Sequence, residues 1–115
     1  MSSKLIGALK ETGVIKKKKV ILTSGKSADF YIDLKKAYGW PEILGLICDC
    51  IKPYLKNATC VAGSGHGGVP LATAISLRNR IKLTLVRSEP RKHGTGAWID
   101  GYVPGNKDRV LIVDD

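Results

Sequence analysis

Residues 60–75 read Cys-Val-Ala-Gly-Ser-Gly-His-Gly-Gly-Val-Pro-Leu-Ala-Thr-Ala-Ile. Cys60, Val61 and Ala62 form a brief apolar run, as a short buried strand does. A loop is expected at Gly63-Ser64-Gly65-His66-Gly67-Gly68, and Pro70 is expected to open a helix containing Leu71, Ala74 and Ile75. Strand, glycine-rich turn and helix in that order are the building unit of a parallel α/β sheet. Outward from it, Leu83 to Val86 reads as a second strand. Val110 to Val113 is a continuous apolar run, which suggests a strand buried on both faces; with no strand following it here, it is expected to be either an unusually apolar edge or part of something longer.

Upstream, Ile43, Leu44, Ile47, Ile51, Tyr54 and Leu55 recur at helical spacing, with Pro41 suited to the first turn, so a packed helix is expected there. Nearer the start, Ser2 or Ser3 can cap a short helix with Leu5, Ile6 and Leu9 on one face and Gly13 as its stop. Val20-Ile21-Leu22 and Phe30-Tyr31-Ile32 read as two short strands around Ser24-Gly25, and residues 98–103 as an out-and-back strand with Pro104-Gly105 as its turn.

Composition fits one domain. The 115 residues are 43% apolar and 25% charged, too apolar for a disordered tail. No stretch approaches the ~18 apolar residues of a membrane span, and the first ten residues are too broken for a secretory signal. Cys48, Cys50 and Cys60 make neither a C-x-x-C pair nor, with the distant His66 and His93, a zinc pattern. They read as reduced thiols in an intracellular compartment. The formal net charge of +9 admits nucleic acid, a membrane surface or small polyanions as partners. Part of that charge is the run from Lys16 to Lys19, a solvated turn or edge-strand guard. It lacks the interleaved aromatics of a single-strand stacking platform, so nucleic acid is not the expected partner.

Four segments could carry chemistry. The glycine-rich turn around His66 and Gly67 can bring backbone N–H groups and a helix N-terminus to an anion, or be only a tight turn. Residues 87–96, Arg-Ser-Glu-Pro-Arg-Lys-His-Gly-Thr-Gly, place three cations and a histidine on a loop leaving a strand. Such a loop can fold over a phosphorylated substrate, or be solvated and mobile. Asp114 and Asp115 follow an apolar strand, where ligands of open α/β sheets bind. They can accept ribose hydroxyls or hold Mg²⁺ through water, or simply be a charged chain end. Thr23 to Asp33 carries Phe30 and Tyr31, which fit a core as well as a planar ligand.

Taken in order, these segments resemble the orotate phosphoribosyltransferases from about Leu22 to Asp115. The 87–96 loop is similar to that family's R-K-E-x-K-x-H-G-x-G signature. The Ser24-Gly25…Tyr31…Asp33, Gly67 to Ala72 and Val110 to Asp115 segments are similar to other family patterns. The resemblance implies a type I phosphoribosyltransferase-like parallel sheet flanked by helices. Residues 1–115 would be a single, incomplete domain, with residues 1–40 as a small N-terminal hood.

It further implies Mg²⁺-dependent transfer of ribose 5-phosphate from phosphoribosyl diphosphate to orotate, giving orotidine 5'-monophosphate and diphosphate. That is a step of cytoplasmic pyrimidine synthesis, carried out by a homodimer. Arg91 and His93 would be catalytic, and with Arg87 would contact the diphosphate. His66, Gly67 and Ser88 would line the diphosphate side. Tyr31 and Ile32 would sit beside the orotate ring, and Asp114 and Asp115 would hold the ribose hydroxyls and, indirectly, Mg²⁺.

The chain departs from the pattern at Ser88, where the family usually has lysine, and at Arg91, in place of a lysine. Thr23 and Gly67 stand where some members carry lysine. The acids are followed in the family by a loop for the 5'-phosphate, so the sequence is expected to lack the C-terminal part of the core. A chain of these residues alone is expected to turn over poorly. Two other readings are a non-catalytic phosphoribosyltransferase-fold regulator that binds a nucleotide or nucleic acid, and a transferase for another base.

Overall fold

The computed structural model describes residues 3–16, 20–94 and 97–115, which fall into two compact units, Met1–Cys50 and Ile51–Asp115. In the first, helix α1 (Ser3–Glu11) buries Leu5 and Leu9, and Gly13 ends it with a positive φ of 73°. Ser3 is the first helical residue rather than a cap, and Ser2 lies outside the described residues. Four two-residue strands follow where two were expected. β1 (Ile15–Lys16) pairs antiparallel with β4 (Tyr31–Ile32), and β2 (Val20–Ile21) with β3 (Ser27–Ala28). A turn closed by Leu22 N–H to Lys26 O (2.8 Å) joins β2 to β3, with Gly25 at φ +83°. Of the lysine run, residues 17–19 lie outside the described residues. Phe30 and Tyr31 are half exposed, not core. Short helix α2 (Leu34–Ala37) then leads to α3 (Pro41–Ile51), which begins at the expected proline and buries Ile43, Ile47 and Cys48. Its register continues into a 3₁₀ turn (Lys52–Leu55), whose tighter winding leaves Tyr54 exposed rather than packed.

The second unit is a four-stranded sheet in the order β7-β6-β5-β8. β5 (Cys60–Gly63) is central and wholly buried. It runs parallel to β6 (Lys82–Val86) and to β8 (Val110–Ile112), while β7 (Ile99–Gly101) lies antiparallel to β6. Helix α4 (Gly65–Asn79) connects β5 to β6, packs on both, and buries Leu71, Ala72 and Ile75. It begins five residues before Pro70, which therefore sits inside the helix. The glycines expected to form a loop make its first turn instead, for a steric reason. A Cβ on Gly63 would fall on the carbonyl of Gly68, and one on Gly68 would lie 3.0 Å from the Val113 carbonyl. Here glycine permits close approach of helix to strand rather than a flexible chain.

β8 corrects another expectation. It is an edge of the described sheet, and Val110 and Ile112, alternate residues on one of its faces, are 40% and 77% exposed, whereas Val113 is buried. No helix among the described residues is long and apolar enough to cross a membrane. Cys60 and Cys48 are buried thiols and Cys50 is partly buried.

The starting edge of the sheet is fastened by Asp108. Its carboxylate accepts hydrogen bonds from the Tyr102 hydroxyl (2.6 Å), the Gly105 N–H (2.7 Å) and the Thr59 hydroxyl (2.7 Å). Lys82 Nζ stands 4.4 Å from the centre of the Tyr102 ring. The Tyr102 bond foremost, then those from Gly105 and Thr59, hold the Asp108 carboxyl down at about 2. A carboxyl depressed in the folded state stabilises it above the ordinary carboxylate range, and that contribution is lost as pH falls through the depressed value. Asp108→Asn is therefore expected to lower the melting temperature at pH 7. The difference from the unaltered chain should close between pH 4 and pH 2 in thermal melts.

Candidate functional site

Because β5, β6 and β8 are parallel, their C-terminal ends face one edge of the sheet. Three of the four segments singled out by sequence leave from that edge: the first turn of α4, the loop from Arg87, and Asp114-Asp115. This is where an open α/β sheet offers a crevice for ligands.

The first turn of α4 follows Ser64, whose extended backbone makes no side-chain cap. The Gly68 N–H bonds to Ser64 O at 3.1 Å. The positive end of the helix dipole favours an anion there. His66 is exposed, whereas Gly67 is buried against the acid pair. A Cβ at Gly67 would collide with the Asp115 carboxylate and come to 2.9 Å from Asp114 Oδ1. The missing side chain is what lets two carboxylates sit at the helix start. Both acids are exposed, and Asp114 Oδ1 accepts the Asp115 N–H at 2.9 Å.

The loop leaving β6 is more ordered at its base than a solvated loop need be. The Arg87 N–H donates to Trp98 O (2.8 Å) and the Arg91 N–H to Ala97 O (2.9 Å), which extends the β6–β7 hairpin. A cleft of about 550 Å³ opens there, lined by Gly65, Val86, Arg87, Ser88, Glu89, Pro90, Arg91, Lys92 and His93. It is thus shared between the helix start and the cationic loop. Thr95 and Gly96 lie outside the described residues.

The sequence reading missed Asp100. Arg87 Nη1 donates to its Oδ2 at 3.0 Å, and Arg91 Nη2 donates to its Oδ1. The Arg87 hydrogen bond, the largest effect, lowers the Asp100 carboxyl; burial opposes it, and the Arg91 bond with the charges of both arginines keeps the carboxyl below the ordinary range. The signal was available in the hairpin register. Leu85 faces Asp100, so Arg87, two residues on, is its diagonal cross-strand neighbour.

The structure thus brings His66, Gly67, Arg87, Ser88, Arg91, His93, Asp114 and Asp115 to one edge of one sheet. Tyr31 and Ile32 belong to the first unit. They are half exposed on β4, and Tyr31 lines a largely apolar hollow of about 580 Å³ with Ile21, Leu22, Thr23 and Ser24. Among the described residues no three His, Cys, Asp or Glu side chains converge on a common point. The adjacent carboxylates suit a Mg²⁺ that arrives on substrate phosphates, which commonly takes one or two protein carboxylates and keeps several waters.

No family model matches the chain. Known proteins similar to it do exist. An orotate phosphoribosyltransferase of Methanocaldococcus jannaschii is 44% identical over 114 residues, covering 98% of this chain and 64% of that protein. The structure of Leishmania donovani UMP synthase superposes with a TM-score of 0.79 at 31% identity, over 97% of this chain and 24% of that one. A Mycobacterium tuberculosis orotate phosphoribosyltransferase, solved in complex with 5-phospho-alpha-D-ribosyl 1-diphosphate, superposes at 0.65 with 25% identity. That match covers 97% of this chain and 62% of its counterpart. The chain spans just under two thirds of the length of the curated relatives it matches. Over nearly all its residues the chain's sequence, and its type I phosphoribosyltransferase-like fold, are similar to those of the orotate phosphoribosyltransferases.

Proposed function

We propose that the chain serves orotate phosphoribosyl transfer: ribose 5-phosphate passes from phosphoribosyl diphosphate to orotate, giving orotidine 5'-monophosphate and diphosphate. The observation that carries this reading is the meeting of a glycine-rich helix start, a cationic loop and an acid pair at the ends of three parallel strands. Each supplies what one part of the sugar diphosphate needs. Breaking the ribosyl C–O bond leaves positive charge on the sugar and negative charge on the departing diphosphate. Fixed cations aimed at the leaving group lower that barrier more than a strong base would.

In this reading Arg87 and Arg91 bind the diphosphate. His93, exposed on the same loop, donates hydrogen bonds to it as it departs. The backbone of His66 and Gly67 lies along its other side, and Ser88 contributes a hydroxyl where a cation would otherwise stand. Asp114 and Asp115 accept the ribose hydroxyls and hold the water shell of Mg²⁺, which when bound neutralises diphosphate oxygens. The roles of Tyr31 and Ile32 beside the planar base, and of residues 1–40 as a hood, follow from the resemblance. So do action as a homodimer, a place in pyrimidine synthesis and a cytoplasmic setting.

Calorimetric titration of orotate, uracil and adenine into the chain with Mg²⁺ and phosphoribosyl diphosphate tests the choice of base. Orotate is expected to bind at least roughly tenfold more tightly than either, because it alone of the three is an anion and the chain carries a net charge of +9. Adenine binding as tightly as orotate would overturn the choice. Tight RNA binding that weakens steeply with salt, without a response to the sugar diphosphate, would favour a nucleic-acid-binding role instead.

A further inference from the structure

Asp100 belongs to none of the segments that the sequence singled out, yet its carboxylate holds both arginines of the cleft. Its Oδ2 accepts from Arg87 Nη1 at 3.0 Å and its Oδ1 from Arg91 Nη2. The two guanidiniums repel one another, and each belongs to a long side chain with many rotamers. A single carboxylate that gives one oxygen to each offsets the repulsion and removes the rotamer freedom. Asp100 can do so because it sits in β7, laddered to Leu85 of β6, and not on the loop itself. The two cations are therefore referenced to the sheet. A guanidinium has five N–H donors, so an arginine bonded to one carboxylate oxygen keeps donors for a second anion.

We infer that Asp100 is a positioning residue, holding Arg87 and Arg91 side by side so that a diphosphate group entering the cleft meets a prearranged pair of cations. This rests on the diphosphate reading given above. It makes a prediction opposite to that of net charge. Asp100→Asn removes a negative charge beside an anion site, so charge alone predicts tighter diphosphate binding. Positioning predicts weaker binding, because the arginines must then be ordered at the moment of binding.

The test is calorimetric titration of inorganic diphosphate with Mg²⁺ into the unaltered chain, Asp100→Asn and Asp100→Glu, with a thermal melt of each. Asp100→Asn is expected to bind roughly tenfold more weakly while still folded at the temperature of the titration, and Asp100→Glu, which keeps the carboxylate, to recover most of the loss. Equal or tighter binding by Asp100→Asn overturns the inference while leaving the diphosphate reading intact. A loss in Asp100→Glu as large as that in Asp100→Asn overturns it too, because a carboxylate at this place in β7 would then not be what sets the two arginines. Failure of the unaltered chain to bind diphosphate overturns the reading on which the inference rests.

Discussion

Gly63→Ala is expected to destabilise the fold by about 2–3 kcal/mol, as overpacking against an unyielding neighbour does. The added methyl would land on the carbonyl of Gly68, 2.6 Å from its carbon and 3.0 Å from Ala72 Cβ. Two of those contacts are backbone of the first turn of α4, so relief requires the helix to lift from β5. β5 is the central strand, and Gly68 itself lies against the Val113 carbonyl. The displacement would therefore pass to β8 and to the acid pair that follows it. A melting temperature lower by roughly 8–15 °C is expected for a chain of this size, read by circular dichroism. Gly105→Ala is the matched control, since its Cβ would meet only Asp108 Oδ2, at an ordinary 3.9 Å. Equal melting temperatures for the two variants would contradict the close packing of helix on strand.

Joint replacement of Arg87 and Arg91 by alanine is expected to weaken binding of Mg²⁺-phosphoribosyl diphosphate by a factor of about 100 or more. Hydrogen bonds to charged groups are worth roughly 1.5–3 kcal/mol each, and every 1.4 kcal/mol is a factor of ten. Both side chains line the cleft and both are tied to Asp100. Lys56→Ala distinguishes a built site from the general attraction of a protein with net charge +9. Lys56 is exposed near the starting ends of β5 and β8, beside Arg109, far along the strands from the cleft edge. It is expected to change the affinity by less than about twofold, because an exposed charge beyond the screening length contributes little. Equal losses for Lys56→Ala and the double arginine variant would reduce the cleft to nonspecific attraction.

How much of this was legible in the sequence follows from how locally each feature is determined. β5, β6 and α3 come from apolar runs and helical spacing that one element carries by itself. The start of α4 does not. Four glycines in six residues look like a loop, and the carbonyls of Gly68 and Val113 and the carboxylates of Asp114 and Asp115 explain why side chains are excluded at Gly63, Gly68 and Gly67. Val110 and Ile112 look buried because an apolar run reports what a strand can tolerate, not which neighbours it has. In the first unit, two expected strands became four because each pairs over only two residues, where a turn outweighs any periodicity. At the site, the cations and acids were visible along the chain, each open both to a ligand and to a plain solvated reading, until the parallel strands brought them to one edge. Asp100 was not, since its significance lies in a diagonal across a hairpin and not in its neighbours along the chain.

In the proposed function the C-terminal ends of β5, β6 and β8 form one site for the sugar diphosphate. Backbone amide NMR of the chain during titration with Mg²⁺ and phosphoribosyl diphosphate tests it most directly. The account predicts saturable shifts in the second unit at residues 64–68, 87–94 and 113–115, with residues 105–109 at the other edge of the sheet unmoved. Absence of saturable shifts, or shifts centred on Asp108 and Arg109, would contradict it.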